Sequence, residues 1–147
     1  MDLILWRHAE AEDTTPDSQR KLTAKGHKQA AKIAAWLRAR LPDDARILVS
    51  PTTRTEETAA ALERPFETVE RVGPGASHQA ILDACGWPQQ KGSVVVVGHQ
   101  PTLGETAAWL LSGEADGWTI KKGALWWFTA RGHQTLLRAV ISPDLVD

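Results

Sequence analysis

Ser93-Val94-Val95-Val96-Val97-Gly98-His99-Gln100-Pro101 is the stretch that decides the fold. Four consecutive valines leave no polar alternation, which is the pattern of a strand buried on both faces. Such strands occupy the middle of parallel sheets whose two sides are covered by helices. The run ends in a polar corner at Gly98-His99. Pro101 then suits the start of a helix, with Leu103, Ala107, Leu110 and Leu111 on one side and Gly113 as its stop.

The same strand-corner-helix order recurs outward from this run. Leu3–Arg7 is a short apolar strand ending in Arg7-His8. Residues 9–22 are a polar loop, with Thr14-Thr15-Pro16-Asp17-Ser18 as its turn. Thr23 is an N-cap for a helix to about Leu41, with Ala30, Ile33, Ala34 and Leu37 on one face. Ile47–Val49 is a second strand, followed by Ser50-Pro51 as cap and first residue of a helix to about Leu62. Phe66–Val69 is a short third strand, and Ser77 caps a helix to about Cys85, closed by Gly86. Trp118–Ile120, Ala124–Ala130 and Thr135–Ile141 read as closing strands, the last two joined by a turn at Arg131-Gly132-His133. Trp126-Trp127 straddles the two faces of its strand. The expected fold is an α/β layered domain over residues 1–147, mostly parallel at its centre and antiparallel near the C-terminus.

Composition narrows the class. A chain of 147 residues matches the prior of roughly 150 per domain. A formal net charge of −1 with no basic block argues against nucleic acid or a membrane surface as partner. No apolar run approaches the ~18 residues of a membrane span. The N-terminus lacks the basic flank of a signal peptide, so a cytoplasmic location is expected. One cysteine, Cys85, cannot make an intrachain disulfide or a multi-cysteine zinc site, and it reads as a small core residue.

Function concentrates at three strand ends: Arg7-His8, Ser50-Pro51-Thr52-Thr53-Arg54 and Gly98-His99. Open α/β sheets bind ligands outside the carboxyl ends of their strands. Arg7, His8, Arg54 and His99 therefore converge in one crevice although they are distant in sequence, and two helix N-termini face it as well. Guanidinium forks and free N–H groups at helix starts suit a phosphate. A neutral imidazole can attack phosphorus. Position alone leaves open that Arg7-His8 caps a helix, that Arg54 is an exposed helix residue pairing with Glu57 or Thr58, and that His99 is a buried histidine bonded to backbone.

Arg7-His8-Ala9, then Ser50-x-x-x-Arg54-x-x-x-Thr58-Ala59, then Val97-Gly98-His99 resemble the histidine phosphatase (phosphoglycerate-mutase-like) superfamily. The small size and Arg7-His8-Ala9-Glu10-Ala11 resemble its SixA branch, the phosphohistidine phosphatases, and so do Leu22-Thr23-x-x-Gly26, Pro74-Gly75-Ala76-Ser77 and Gly98-His99-x-Pro101. The resemblance implies that His8 is the nucleophile and forms a phosphohistidine intermediate. It implies that Arg7 and Arg54 clamp the phosphoryl oxygens. His99 is then a second, protonated pocket histidine, and Arg20 reaches the pocket rim. Ala9 stands where the superfamily usually has glycine, as is common in this branch.

Larger relatives carry a catalytic acid in an inserted segment; residues 66–92 are too short for one, and Glu10 is the nearest substitute. Without a proton donor an alkoxide leaves poorly, whereas imidazole can leave already protonated. The expected activity is therefore a metal-independent phosphohistidine phosphatase acting on a phosphorylated partner protein, with no cofactor. The alternatives are a small-molecule phosphomonoesterase of the same mechanism and a non-catalytic phosphohistidine-binding module. His8, Glu10 and Glu12 lack a third metal ligand at a convincing spacing, and the arginines would repel a cation, so no metal is expected. His78 is a candidate for the rim, and His27 and His133 read as surface residues.

Overall fold

Strands β1 (Asp2–Arg7), β2 (Arg46–Val49), β3 (Glu67–Thr68), β4 (Ser93–Gly98), β5 (Leu125–Arg131) and β6 (Gln134–Ile141) form one sheet in the order β3-β2-β4-β1-β5-β6. Helices α1 (Ala24–Arg38), α2 (Thr53–Ala60), α3 (His78–Cys85) and α4 (Thr102–Ser112) cover it. The computed structural model describes residues 1–147. The valine run is the heart of the sheet: every residue of β4 is buried, and β4 pairs in parallel with both β1 and β2. β5 and β6 add antiparallel strands at one side.

The side-chain alternation of the central strands sorts the core into two layers. Leu3, Leu5, Val94 and Val96 pack with Ile81 and Leu82 of α3 and Leu103 of α4. Ile4, Trp6, Val95 and Val97 pack on the other face with Ile33 and Leu37 of α1 and Ala59 of α2. Each such aliphatic side chain contributes about 1.5–3 kcal/mol relative to exposure. Trp126 joins the first layer and Trp127 the second, as the pair's neighbouring positions on a strand require. Cys85 is buried in the first layer, where burial raises its thiol pKa to about 12.

Local signals set several boundaries. The Thr23 hydroxyl accepts from Gly26 N and the Ser77 hydroxyl from Ala80 N, each capping its helix. Gly86 and Gly113 end α3 and α4 in the left-handed conformation.

Three expectations are corrected. Thr52, not Ser50, caps α2, because the Ser50 hydroxyl is engaged elsewhere. α1 stops at Arg38, short of Leu41. Trp118–Ile120 is not a strand. Its carbonyls go to side chains instead: Trp118 O accepts from Gln100 Nε2 at 2.9 Å and Ile120 O from Arg7 Nη1 at 2.9 Å. Gly104 allows this strap to lie against α4, since a Cβ there would overlap the Trp118 carbonyl.

Candidate active site

The strand order places the three polar corners side by side. Arg7 pairs with Gly98, and His8 N donates to Gly98 O at 3.1 Å. Ser50 N donates to Val97 O at 3.1 Å, which sets the end of β2 beside the end of β4. Arg7, His8, Arg20, Arg54 and His99 thereby line one pocket of about 230 Å³. The rings of His8 and His99 lie 5.4 Å apart, tilted by 55°.

Each side chain is held by an identifiable partner. His8 Nδ1 lies 2.7 Å from Ala9 O. A carbonyl only accepts, so Nδ1 carries the proton and Nε2 the free lone pair. Ala9 N donates to the Thr58 hydroxyl at 3.0 Å, which itself donates to Arg54 O at 2.8 Å. This links the end of β1 to α2. Arg54 Nη1 donates to Asp17 O at 2.7 Å, and Arg54 Nη2 lies 3.1 Å from Asp17 Oδ2 and 3.3 Å from His99 Nδ1. A guanidinium only donates, so His99 accepts at Nδ1 and its Nε2 faces the Ser50 hydroxyl at 2.7 Å. The Nε atoms of Arg7 and Arg54 are buried without a hydrogen-bond partner.

A profile of the histidine phosphatase superfamily (branch 1) matches residues 3–73. A phosphohistidine phosphatase SixA homolog of Haemophilus influenzae is 34% identical over an alignment of 124 positions that covers 74% of this chain and 76% of the relative. The chain belongs to the histidine phosphatase superfamily. It is a phosphatase of the SixA-like branch of that superfamily. A solved structure of the protein histidine phosphatase SixA complexed with tungstate superposes with TM-score 0.83, covering 98% of each chain at 24% identity, and so shares the fold. A phosphoserine phosphatase from Entamoeba histolytica, solved with 3-phosphoglyceric acid, shares it at TM-score 0.74 and 19% identity, covering 96% of each chain.

The electrostatics of this histidine phosphatase pocket favour an anion. Burial pushes the His8 pKa down to about 4; the hydrogen bond to the Ala9 carbonyl opposes this, and the positive charges of Arg54, Arg7 and Arg20 each add to the lowering. Burial and Arg54 push His99 to about 3. Both imidazoles are therefore neutral at pH 7 beside the arginines alone. The resemblance implies a protonated His99; burial first, then the Arg54 guanidinium, oppose that charge in this pocket, against a smaller raising effect of Asp17. A phosphoryl dianion supplies a counter-charge and raises both values.

Not every expected residue faces this pocket. Glu10 lines the neighbouring hollow instead, and its Oε2 accepts from the Thr23 hydroxyl at 2.7 Å. Arg20 does reach the rim, with Nε donating to Glu12 O at 2.7 Å and Nη1 3.5 Å from Asp17 Oδ1. His78 packs beside Trp109, 6.0 Å between rings, on α3. Ser50 and Thr58 were visible in the spaced motif, but their bonds to His99 and Ala9 were not. Asp17 carried no signal, since it sits in a polar loop 37 residues from Arg54. Burial opposes ionisation of Asp17, but its hydrogen bonds and charge contacts with Arg54 and Arg20 together outweigh this and lower its pKa.

Proposed function

We propose that this phosphatase hydrolyses phosphohistidine on a partner protein through a phospho-His8 intermediate, without a metal. His8 Nε2 attacks phosphorus in line, the bond from phosphorus to the substrate imidazole breaks, and that imidazole departs with its second nitrogen protonated. Water then attacks the phosphorus on His8, the phosphorus–Nε2 bond breaks, and inorganic phosphate leaves with one water proton lost to solvent. Arg7 and Arg54 meet the equatorial oxygens through their buried, unpartnered Nε groups and the remaining donors of their forks. His99 lines the same pocket, and the charge of a bound phosphoryl dianion favours its protonated form.

The observation that carries the substrate choice is the state of the nearby carboxylates. Asp17 is held ionised by Arg54 and Arg20, and Glu10 is bonded to Thr23 in the adjoining hollow. Neither is arranged to protonate an alkoxide, whose departure needs a donor worth roughly 10²–10⁴ in rate. Imidazole needs no such donor.

The second reading is a small-molecule phosphomonoesterase. It is favoured by the adjoining hollow of about 450 Å³, a size that holds a small ligand.

The test is kcat/KM for the purified protein on a phosphohistidine peptide, phosphoramidate, an aryl phosphate and a sugar phosphate, with and without EDTA. The expected order is phosphohistidine and phosphoramidate first, aryl phosphate next and sugar phosphate last, unchanged by chelation. A preference for the sugar phosphate would replace the substrate by the second reading. Loss in EDTA restored by a divalent ion would overturn the metal-free mechanism.

A further inference from the structure

Net charge hides an uneven distribution of lysine. The chain has seven lysines, at positions 21, 25, 28, 32, 91, 121 and 122. Five of these seven line one continuous trough that starts at the reaction pocket. The pocket shares Arg7 and Lys122 with the 450 Å³ hollow, to which Lys25 and Lys121 also contribute. That hollow shares Lys25 and Asp144 with a further one of about 250 Å³, which adds Lys28 and Lys32. All five lysines are exposed.

The acids along this path are Glu10 and Asp144, and both are occupied. Glu10 accepts from the Thr23 hydroxyl, while Asp144 accepts from the Ser142 hydroxyl and lies 3.7 Å from Lys121. Lys25, Lys28, Lys32 and Lys122 take part in none of the chain's six ion pairs. Lys25, Lys28 and Lys32 follow i, i+3, i+7 spacing on α1, so they present one face about 10 Å long. Like charges at that spacing repel one another and weaken a helix slightly. An external polyanion removes that repulsion.

We propose that this trough docks an acidic segment of the phosphoprotein substrate and so selects which phosphohistidine enters the pocket. The proposal rests on the phosphohistidine reading above and names the flank of its substrate. Phosphate recognition sits with the arginines, whose forks match phosphate oxygens; the lysines are mobile point charges strung over a length that fits successive carboxylates of a polypeptide. Their field also speeds encounter with an acidic partner, in a salt-sensitive way.

The test uses three phosphohistidine peptides, prepared with phosphoramidate, in which a run of four residues beside the phosphohistidine is Glu, Gln or Lys. At low salt the Glu peptide should exceed the Gln peptide about tenfold in kcat/KM, the Lys peptide should fall below both, and the differences should shrink at high salt. Lys28→Glu with Lys32→Glu should abolish the Glu preference while phosphoramidate turnover stays unchanged. Lys28→Gln with Lys32→Gln repeats the comparison if the reversed charges disturb α1, as read by thermal unfolding.

Binding of the unphosphorylated Glu peptide, read by anisotropy for wild type and the double variant, tests docking without catalysis. Failure to hydrolyse any phosphohistidine peptide while the Glu peptide still binds would reject the function reading alone. Equal kcat/KM for Glu and Gln peptides, or Glu-peptide binding unchanged in the double variant, would overturn the docking site. So would binding of a single-stranded oligonucleotide to this face in preference to the Glu peptide.

Discussion

Two hollows in this molecule combine arginines with aromatic rings, and the larger is not the one that holds His8 and His99. Between the C-terminal end of α1 and strands β5 and β6, Trp36, Arg40, Trp127 and Arg138 line about 320 Å³, against about 230 Å³ around His8 and His99. In the tryptophan hollow the charges are occupied. Arg40 lies 4.3 Å over the Trp36 ring and donates to Trp36 O at 2.7 Å. Arg138 lies 4.8 Å from the Trp127 ring and 2.8 Å from Asp2, which also accepts from Trp127 and Thr129. Around His8, by contrast, two arginine Nε groups are buried with no partner, and both imidazoles are kept neutral by burial and like charge. Volume separates the two hollows less than their donors do, because the Nε groups of Arg7 and Arg54 are the buried side-chain donors left without a protein partner.

The most severe way to break the contrast is His8→Ala. Turnover should fall by at least ~10³-fold, and acid-labile, base-stable phosphate trapped on the wild type should be absent from the variant. Equal labelling of both proteins would remove His8 as nucleophile. Arg54→Ala should cost about 10²–10³ in kcat/KM, whereas Arg40→Ala in the tryptophan hollow should leave kcat/KM where it was. Similar losses from both arginines would erase the distinction between the hollows.

The titration of the buried imidazoles sharpens it further. His8 needs its free Nε2 lone pair, so kcat/KM on an acid-stable aryl phosphate should drop about tenfold per pH unit below about 4. In the unfolded chain the same groups titrate near 6.5. Their folded pKa values are depressed, so the unfolded state binds more protons between about 4 and 6.5. The contribution of the two imidazoles is therefore complete above about 6.5 and is lost as the pH falls through about 4 for His8 and about 3 for His99, which melting temperatures at pH 7 and pH 5 will show. His8→Ala should flatten part of that slope. The smallest effect belongs to the other hollow. Arg138→Ala breaks a half-exposed ion pair and should lower stability by about 0.2–1 kcal/mol in denaturant unfolding, with kcat/KM unchanged.

Much of this arrangement was legible before any coordinates. The valine run marked the central strand because an unbroken β-branched stretch has one stable environment, a strand covered on both sides. Thr23, Ser77, Gly86 and Gly113 marked helix ends because capping acts within three or four residues. Arg7, His8, Arg54 and His99 could be named because each stands at or just past a strand end, where α/β sheets collect ligands. Gly26 of the Leu22-Thr23-x-x-Gly26 motif acquires its reason only in three dimensions. A Cβ there would overlap the carbonyl of Glu10, so the glycine lets α1 close against the segment following His8.

What the sequence by itself determined, then, was most of what depends on period and on near neighbours: the central strands and helices, the caps at Thr23 and Ser77, and the strand-end residues. The tertiary structure alone decided the partners. Ile120 O reaches Arg7 across 113 positions and Asp17 reaches Arg54 across 37, while Glu10, two residues from His8, turns to Thr23. The Trp118–Ile120 strap gives its carbonyls to side chains, and five scattered lysines fall along one trough. Such pairings follow from the order β3-β2-β4-β1-β5-β6 and from which helix covers which face. Chain order does not carry that information, because a side chain's neighbours across a sheet are set by the global packing of elements whose local signals are all alike.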